Sequence, residues 1–162
     1  MSMKERDGAG PARVRPPWWR NVPLPEAHLI ALAAGGLLHF IAPVRAPVSR
    51  RVGAAVGWPA VAGAVALGAW AVASASREGV TVDRSDGLVR TGAFAFTRNP
   101  MFLAWSFGLL GLAALTRSAW LLLAAVGASL TVHRVVRREE VALQSRFGDE
   151  YLAYRAATPR YF

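Results

Sequence analysis

The chain has no cysteine, few acidic residues and little charge inside its apolar runs. Zero cysteines in 162 residues exclude disulfides, thiolate nucleophiles and Cys-ligated zinc or iron–sulfur centres. Its three histidines, His28, His39 and His133, are widely separated. Without a His-x-x-x-His or His-x-Glu spacing, no metal site is expected. Ten acidic residues face nineteen Lys and Arg, for a net charge of +9. In a soluble protein that balance would point to nucleic acid. Here the arginines flank apolar segments, so no nucleic-acid partner is expected and membrane lipids are.

Apolar sequence is what remains. Hydrophobic residues make up 54% of the chain, and the mean hydropathy is +0.29. This predicts an integral membrane protein. Residues 1–23 are polar, basic and rich in Pro and Gly, and read as a flexible segment with an interfacial anchor at Trp18-Trp19-Arg20. They lack the apolar core of a secretory signal. Residues 24–162 read as one domain.

Four apolar runs follow, at about Leu24 to Val44, Val52 to Ala75, Met101 to Leu115 and Ala119 to Val132. A lone histidine in such a run reads as packed or interfacial. The second run carries Gly53, Gly57, Gly63 and Gly68 among alanines, which predicts close packing on several sides. Pro59 marks its first turn or a kink. Fifteen helical residues reach only ~22 Å, short of a ~30 Å hydrocarbon core. Trp105 and Trp120 near the ends favour reading runs three and four as a membrane hairpin. The fold class is thus all-α: a polytopic membrane bundle of about four transmembrane helices with a cytosolic C-terminal amphipathic helix.

With four spans, one side carries 15 of the 19 Lys and Arg and the other carries 4. The heavier side should be cytoplasmic, which places both termini there in a cell inner membrane.

The stretch from Leu88 to Leu103, LVRTGAFAFTRNPMFL, runs from a polar loop into the third apolar run. Pro100 suits a first helical turn and keeps Asn99 out of the helix, with Thr97 or Asn99 as the cap. A helix N-terminus beside Arg98 can hold a carboxylate; the plainer alternative is an arginine snorkelling to the membrane surface. Residues 76–100 read as an ordered interfacial loop, with a short extended piece at Val80-Thr81-Val82.

In the tail, at ~100° per residue from Val136, Leu143, Phe147 and Tyr154 share a stripe, with His133, Glu140 and Tyr151 beside it and Glu139 on its other flank. Gly148 is a point of interruption. Inward carboxylates need a cation. The plainer reading is an amphipathic surface helix whose glutamates pair with Arg137, Arg138 or Arg146.

Taken together, the loop Thr91-Gly92-x-Phe94-x-x-x-Arg98-Asn99-Pro100-Met101-Phe102, the apolar hairpin, and Glu139-Glu140-x-x-Leu143-x-x-x-Phe147-Gly148-x-x-Tyr151-x-x-Tyr154 resemble one group. They look like the isoprenylcysteine carboxyl methyltransferase family of membrane enzymes, related to phospholipid N-methyltransferases. The resemblance covers about Gly87 to Tyr161. It implies S-adenosyl-L-methionine as cofactor and a lipophilic acceptor bearing a carboxylate, amine or thiol. It also implies that Arg98, Asn99, Pro100, Phe102, His133, Glu139 and Tyr151 bind the cofactor, with Glu140 and Arg137 catalytic. The chain departs from the family pattern where Gly92-Ala93-Phe94-Ala95 replaces Gly-Pro-Tyr-Arg, and where Asn99, Phe102 and Ala104 replace His, Tyr and Gly. Two other readings are a catalytically silent membrane protein that keeps the fold, and a nicotinamide-dependent membrane reductase related to the sterol reductases.

Overall fold

A computed structural model describes residues 25–78 and 87–162. The basic segment 1–23, with its tryptophan anchor, and the extended piece at Val80-Thr81-Val82 lie outside the described residues. Each apolar run becomes a helix: α1 (Glu26–Ile41), α2 (Arg50–Arg77), α4 (Pro100–Thr116) and α5 (Ala119–Ala157), with a single turn α3 (Ala93–Phe96) before α4. The described residues are all-helical, without strands. By length and composition, α2 and α5 are long and apolar enough to cross a membrane. The shorter apolar helices α1 and α4 have 16 and 17 residues.

Small residues set how close the helices come. α2 packs along α4, and a Cβ at Gly57 would sit 2.8 Å from the Gly111 carbonyl oxygen. Only a bare Cα at Gly57 allows that approach. Gly63 meets nothing within 4 Å, and α2 packs only on α3 and α4 among the described helices. The expectation of packing on several sides is therefore corrected: Gly53, Gly57 and Gly68 serve the face toward α4, while Gly63 faces open space and Val52 and Val56 are exposed. α1 packs along α5, and Ala31, Leu109, Ala113, Leu121, Ala125 and Ala128 form the core between α1, α4 and α5. Outward-facing Leu29, Ile30, Phe40, Ile41, Leu122, Leu123 and Leu130 form an apolar exterior of the kind a bilayer covers. Pro59 lies inside α2 without ending it.

Buried polar groups tie the helices together. His28 on α1 shares a hydrogen bond with Ser106 Oγ on α4 at 3.0 Å, and Ser129 on α5 donates to the same oxygen at 3.2 Å. His28 is thus a packed residue. At one end of the bundle, the α1–α2 connection meets the α4–α5 turn through backbone bonds: Ala46 N–H donates to the Arg117 carbonyl and Ala119 N–H to the Val44 carbonyl. The Ser49 and Ser118 hydroxyls cap α2 and α5 by accepting from Val52 and Leu121 N–H.

The opposite end is held differently. Gly92 has φ +59° and ψ −126°, a backbone state that favours glycine, and an added Cβ would lie 2.9 Å from Ser74 Cβ. Ser74 Oγ accepts from Ala93 N–H at 3.2 Å, which fastens the loop to α2. Gly148 also leaves helical geometry, at φ +51°, and divides α5 into a long limb and a short return limb. The chain past Gly148 folds back toward the start of α4.

Candidate active site

α4 begins as its sequence requires. Pro100 occupies the first turn and Asn99 stands outside the helix at φ −131°. The Asn99 side chain makes no cap; it donates from Nδ2 to the Arg160 carbonyl at 3.2 Å. Thr97 is buried, accepts from Asn99 N–H at 3.3 Å, and donates to the Arg160 carbonyl at 2.9 Å. The cap expected of Thr97 or Asn99 is thus replaced by a turn whose polar groups face the chain's last residues.

Beneath that turn lies a cavity of about 380 Å³ between the loop, the start of α4 and both limbs of α5. That size suits a small-molecule ligand. Seven of the nine expected site residues line it: Arg98, Asn99, Pro100, Phe102, Glu139, Glu140 and Tyr151. His133 does not; its Nδ1 is 2.8 Å from the Tyr161 hydroxyl, and the Tyr161 ring lies 5.1 Å from that of Phe102. Arg137 is exposed on α5 and lines no part of the cavity. The return limb brings in Tyr151 and Tyr154, both buried, and Tyr154 Oη donates to the Phe94 carbonyl at 2.7 Å.

Charge is organised around Glu140, past the apolar run that ends near Val132. Arg98 Nη2 lies 3.2 Å from Glu140 Oε1, with only 8% and 12% of the two side chains exposed. Arg98 is therefore enclosed, not snorkelling. Arg160 takes Glu140 from the other side, with Nε 3.0 Å from Oε1 and Nη2 2.7 Å from Oε2. Burial pushes the Glu140 carboxyl upward, but the hydrogen bond from Arg160 and the charges of Arg98, Arg160 and Arg155 hold it below the usual carboxylate range. Glu139, at the same cavity, has no ion pair among the described residues. Glu139 is exposed at the cavity rim, and partial desolvation by the atoms packed around it, then the charge of Glu140, raise its carboxyl. Burial also raises the Tyr151 hydroxyl.

Two polar features remain open toward a ligand. Arg98 Nη1 lies 3.5 Å from Tyr151 Oη, but Arg98 Nε is buried without a partner. Buried donors are normally satisfied, so this one is available to an anion. The Glu139 carboxylate is available to a cation. No group of three or more His, Asp or Glu suited to a metal occurs among the described residues.

Arg160 is the residue that sequence reasoning missed. Its signal was charge balance: two consecutive glutamates at the inward stripe, and only Arg90 and Arg98 between Leu88 and Leu103 to meet both them and Asp149-Glu150. Pro159 ends the helix before Arg160, so helical periodicity gave no position for it.

Beside the cavity, an apolar groove of about 700 Å³ runs between α2 and α4, lined by Val61, Ala64, Val65, Gly68 and Val72 among others. It shares Met101 and Trp105 with the cavity.

Comparison with curated proteins and with solved structures finds no match for the chain. A protein-family model does match: that of phospholipid methyltransferases, over residues 52–150. The match takes in α2, the loop, α4 and α5 through Glu139, Glu140 and Gly148, and points to membrane methyl transfer rather than to a reductase or a silent scaffold. With more than half of its length matched, the chain belongs to the phospholipid methyltransferase family, which is related to the isoprenylcysteine carboxyl methyltransferases.

Proposed function

We propose that the protein transfers a methyl group from S-adenosyl-L-methionine to a lipophilic acceptor at the cytoplasmic face of the inner membrane, as a four-span bundle. The observation that carries this reading is the pairing, in one cavity, of the unpartnered Arg98 Nε with the unpaired carboxylate of Glu139. The amino-acid end of the cofactor is a carboxylate and an ammonium, and this donor set matches both. When bound, the cofactor supplies an electrophilic methyl on a sulfonium.

The chain's own contribution is positioning and water exclusion, which such a displacement chiefly needs. Arg98 and the start of α4 hold the carboxylate, and Glu139 holds the ammonium. Glu140 orients Arg98, while Asn99, Pro100, Phe102 and Tyr151 form the wall. His133 supports that wall through Tyr161 and Phe102. A catalytic role for Arg137 finds no support in an exposed side chain outside the cavity. The apolar groove supports an acceptor that arrives from the bilayer, with its tail between α2 and α4 and its carboxylate, amine or thiol at Met101 and Trp105.

Calorimetry of the detergent-purified protein tests the reading. S-adenosylmethionine and S-adenosylhomocysteine should bind and NADPH should not. Binding of NADPH alone would favour a reductase, and binding of none of the three would favour a silent protein.

A further inference from the structure

We propose that Arg160 is a positioning residue that keeps Arg98 open to an anion, by occupying the carboxylate that would otherwise close on it. This rests on the reading of Arg98 as the group that meets the cofactor's carboxylate.

The geometry is a contest for one carboxylate. Arg160 grips Glu140 as a fork, through Nε to Oε1 at 3.0 Å and Nη2 to Oε2 at 2.7 Å. Arg98 reaches the same carboxylate with one nitrogen only, Nη2, at 3.2 Å. A guanidinium and a carboxylate normally join through two parallel bonds. Arg98 is one bond short of that pairing, and the missing donor is its buried Nε, which has no partner. If Glu140 were released, a small rotation would give it both Nε and Nη2 of Arg98, and the anion site would be filled from within.

Arg160 is built to prevent this. Its carbonyl accepts from Thr97 Oγ1 at 2.9 Å and from Asn99 Nδ2 at 3.2 Å, and the neighbouring Pro159 carbonyl accepts from Arg98 N–H at 3.0 Å. The residue is fastened by its backbone to the loop that carries Arg98, and by its side chain to α5.

Charge points the same way. Arg98, Arg160 and Glu140 together carry one positive charge, which an anion completes. Without Arg160, Arg98 and Glu140 neutralise each other and the attraction disappears.

Binding of S-adenosylhomocysteine by the full chain in detergent, with thermal unfolding measured alongside, tests this. Arg160→Ala should weaken binding about tenfold to a hundredfold, the scale of one charge-assisted hydrogen bond. Arg160→Lys keeps the charge without the fork and should lose less. The deciding variant is Arg160→Ala with Glu140→Gln. It restores the single positive charge and removes the competing carboxylate, so binding should rise clearly above that of Arg160→Ala, short of wild type because Glu140 no longer orients Arg98. A residue that merely pins the chain would show no such rescue, and a double variant no better than Arg160→Ala overturns the inference. If Arg160→Ala does not fold, the Arg160→Lys and double variants decide in the same way. Binding that Arg98→Ala abolishes but Arg160→Ala leaves at the wild-type level overturns this inference alone. Binding that Arg98→Ala leaves unchanged, or none by wild type, overturns the functional reading as well.

Discussion

The two ends of α4 carry one arginine each, and the molecule treats them in opposite ways. At the C-terminal end, Arg117 adopts φ +53° to close the turn, and its guanidinium donates to the Val48 carbonyl at 3.3 Å. The bonds around it are made mostly by backbone groups, and no ion pair forms there among the described residues. At the N-terminal end, Arg98 is enclosed, ion-paired and left with a spare donor. One end is a finished turn whose polar groups are used up in closing it. The other keeps polar groups over, in the place where a ligand fits.

The sharpest contrast is topological. If the Arg98 end is cytoplasmic, a single cysteine at Asp149 should stay unlabelled by a membrane-impermeant thiol reagent in intact cells, whereas one at Pro47 should label fully. Both positions are exposed, and the native chain has no cysteine to confuse the result. The reverse pattern would invert the proposed orientation.

Next in size is the contrast between the arginines themselves. Arg98→Ala should weaken S-adenosylmethionine binding by ~1.5–3 kcal/mol, as expected for a sheltered charge-assisted hydrogen bond. Arg117→Ala should leave binding unchanged. Equal losses in calorimetry would mean that Arg98 has no special place.

Glycines divide along similar lines. Gly92→Ala places a side chain at positive φ and against Ser74, and should cost ~1–3 kcal/mol of stability in thermal unfolding while loosening the loop. Gly63→Ala, which faces open space within α2, should be neutral or slightly stabilising. Equal effects would mean that the loop does not need its glycine.

Neighbouring glutamates should separate by pH. The raised carboxyl of Glu139 takes up its proton first as pH falls, and cofactor affinity should drop there while the fold persists. A raised folded-state pKa means the folded protein holds that proton more tightly than the unfolded chain, so this step does not destabilise. Glu140, lowered, keeps its charge to a more acidic pH. Its stabilising bridge is present above the unfolded pKa and is lost only as pH falls through the folded one. Affinity and unfolding temperature measured against pH should therefore fall in that order, and Glu139→Gln should remove the first step. Coincident losses would refute the assignment.

The smallest effect is expected at Glu150, whose pair with Arg90 at 3.1 Å is about half exposed. Glu150→Gln should change stability by less than ~0.5 kcal/mol and leave methyl transfer intact, because solvent screens such pairs. A large loss of activity would extend the site from Tyr151 and Tyr154 to the exposed face of the return limb.

Much of this was legible in the chain. Hydrophobic runs bounded by Pro, Gly and Arg mark four helices, because apolar length and turn residues act locally. The Arg98-Asn99-Pro100 junction follows from proline geometry, and the placing of Glu140 beside the stripe of Val136 and Leu143 follows from helical period. So does the meeting of loop and glutamates, since a hairpin returns Glu139 and Glu140 to the end where Pro100 starts. Other features depended on distance through space. Which glutamate is tied and which is free, why Asn99 does not cap, and where Arg160 lands were decided by the fold-back at Gly148, where φ +51° breaks the helical phase. Beyond such a break no periodicity carries forward. The partner of a buried charge is then set by which chain segment reaches it, and only the folded molecule determines that.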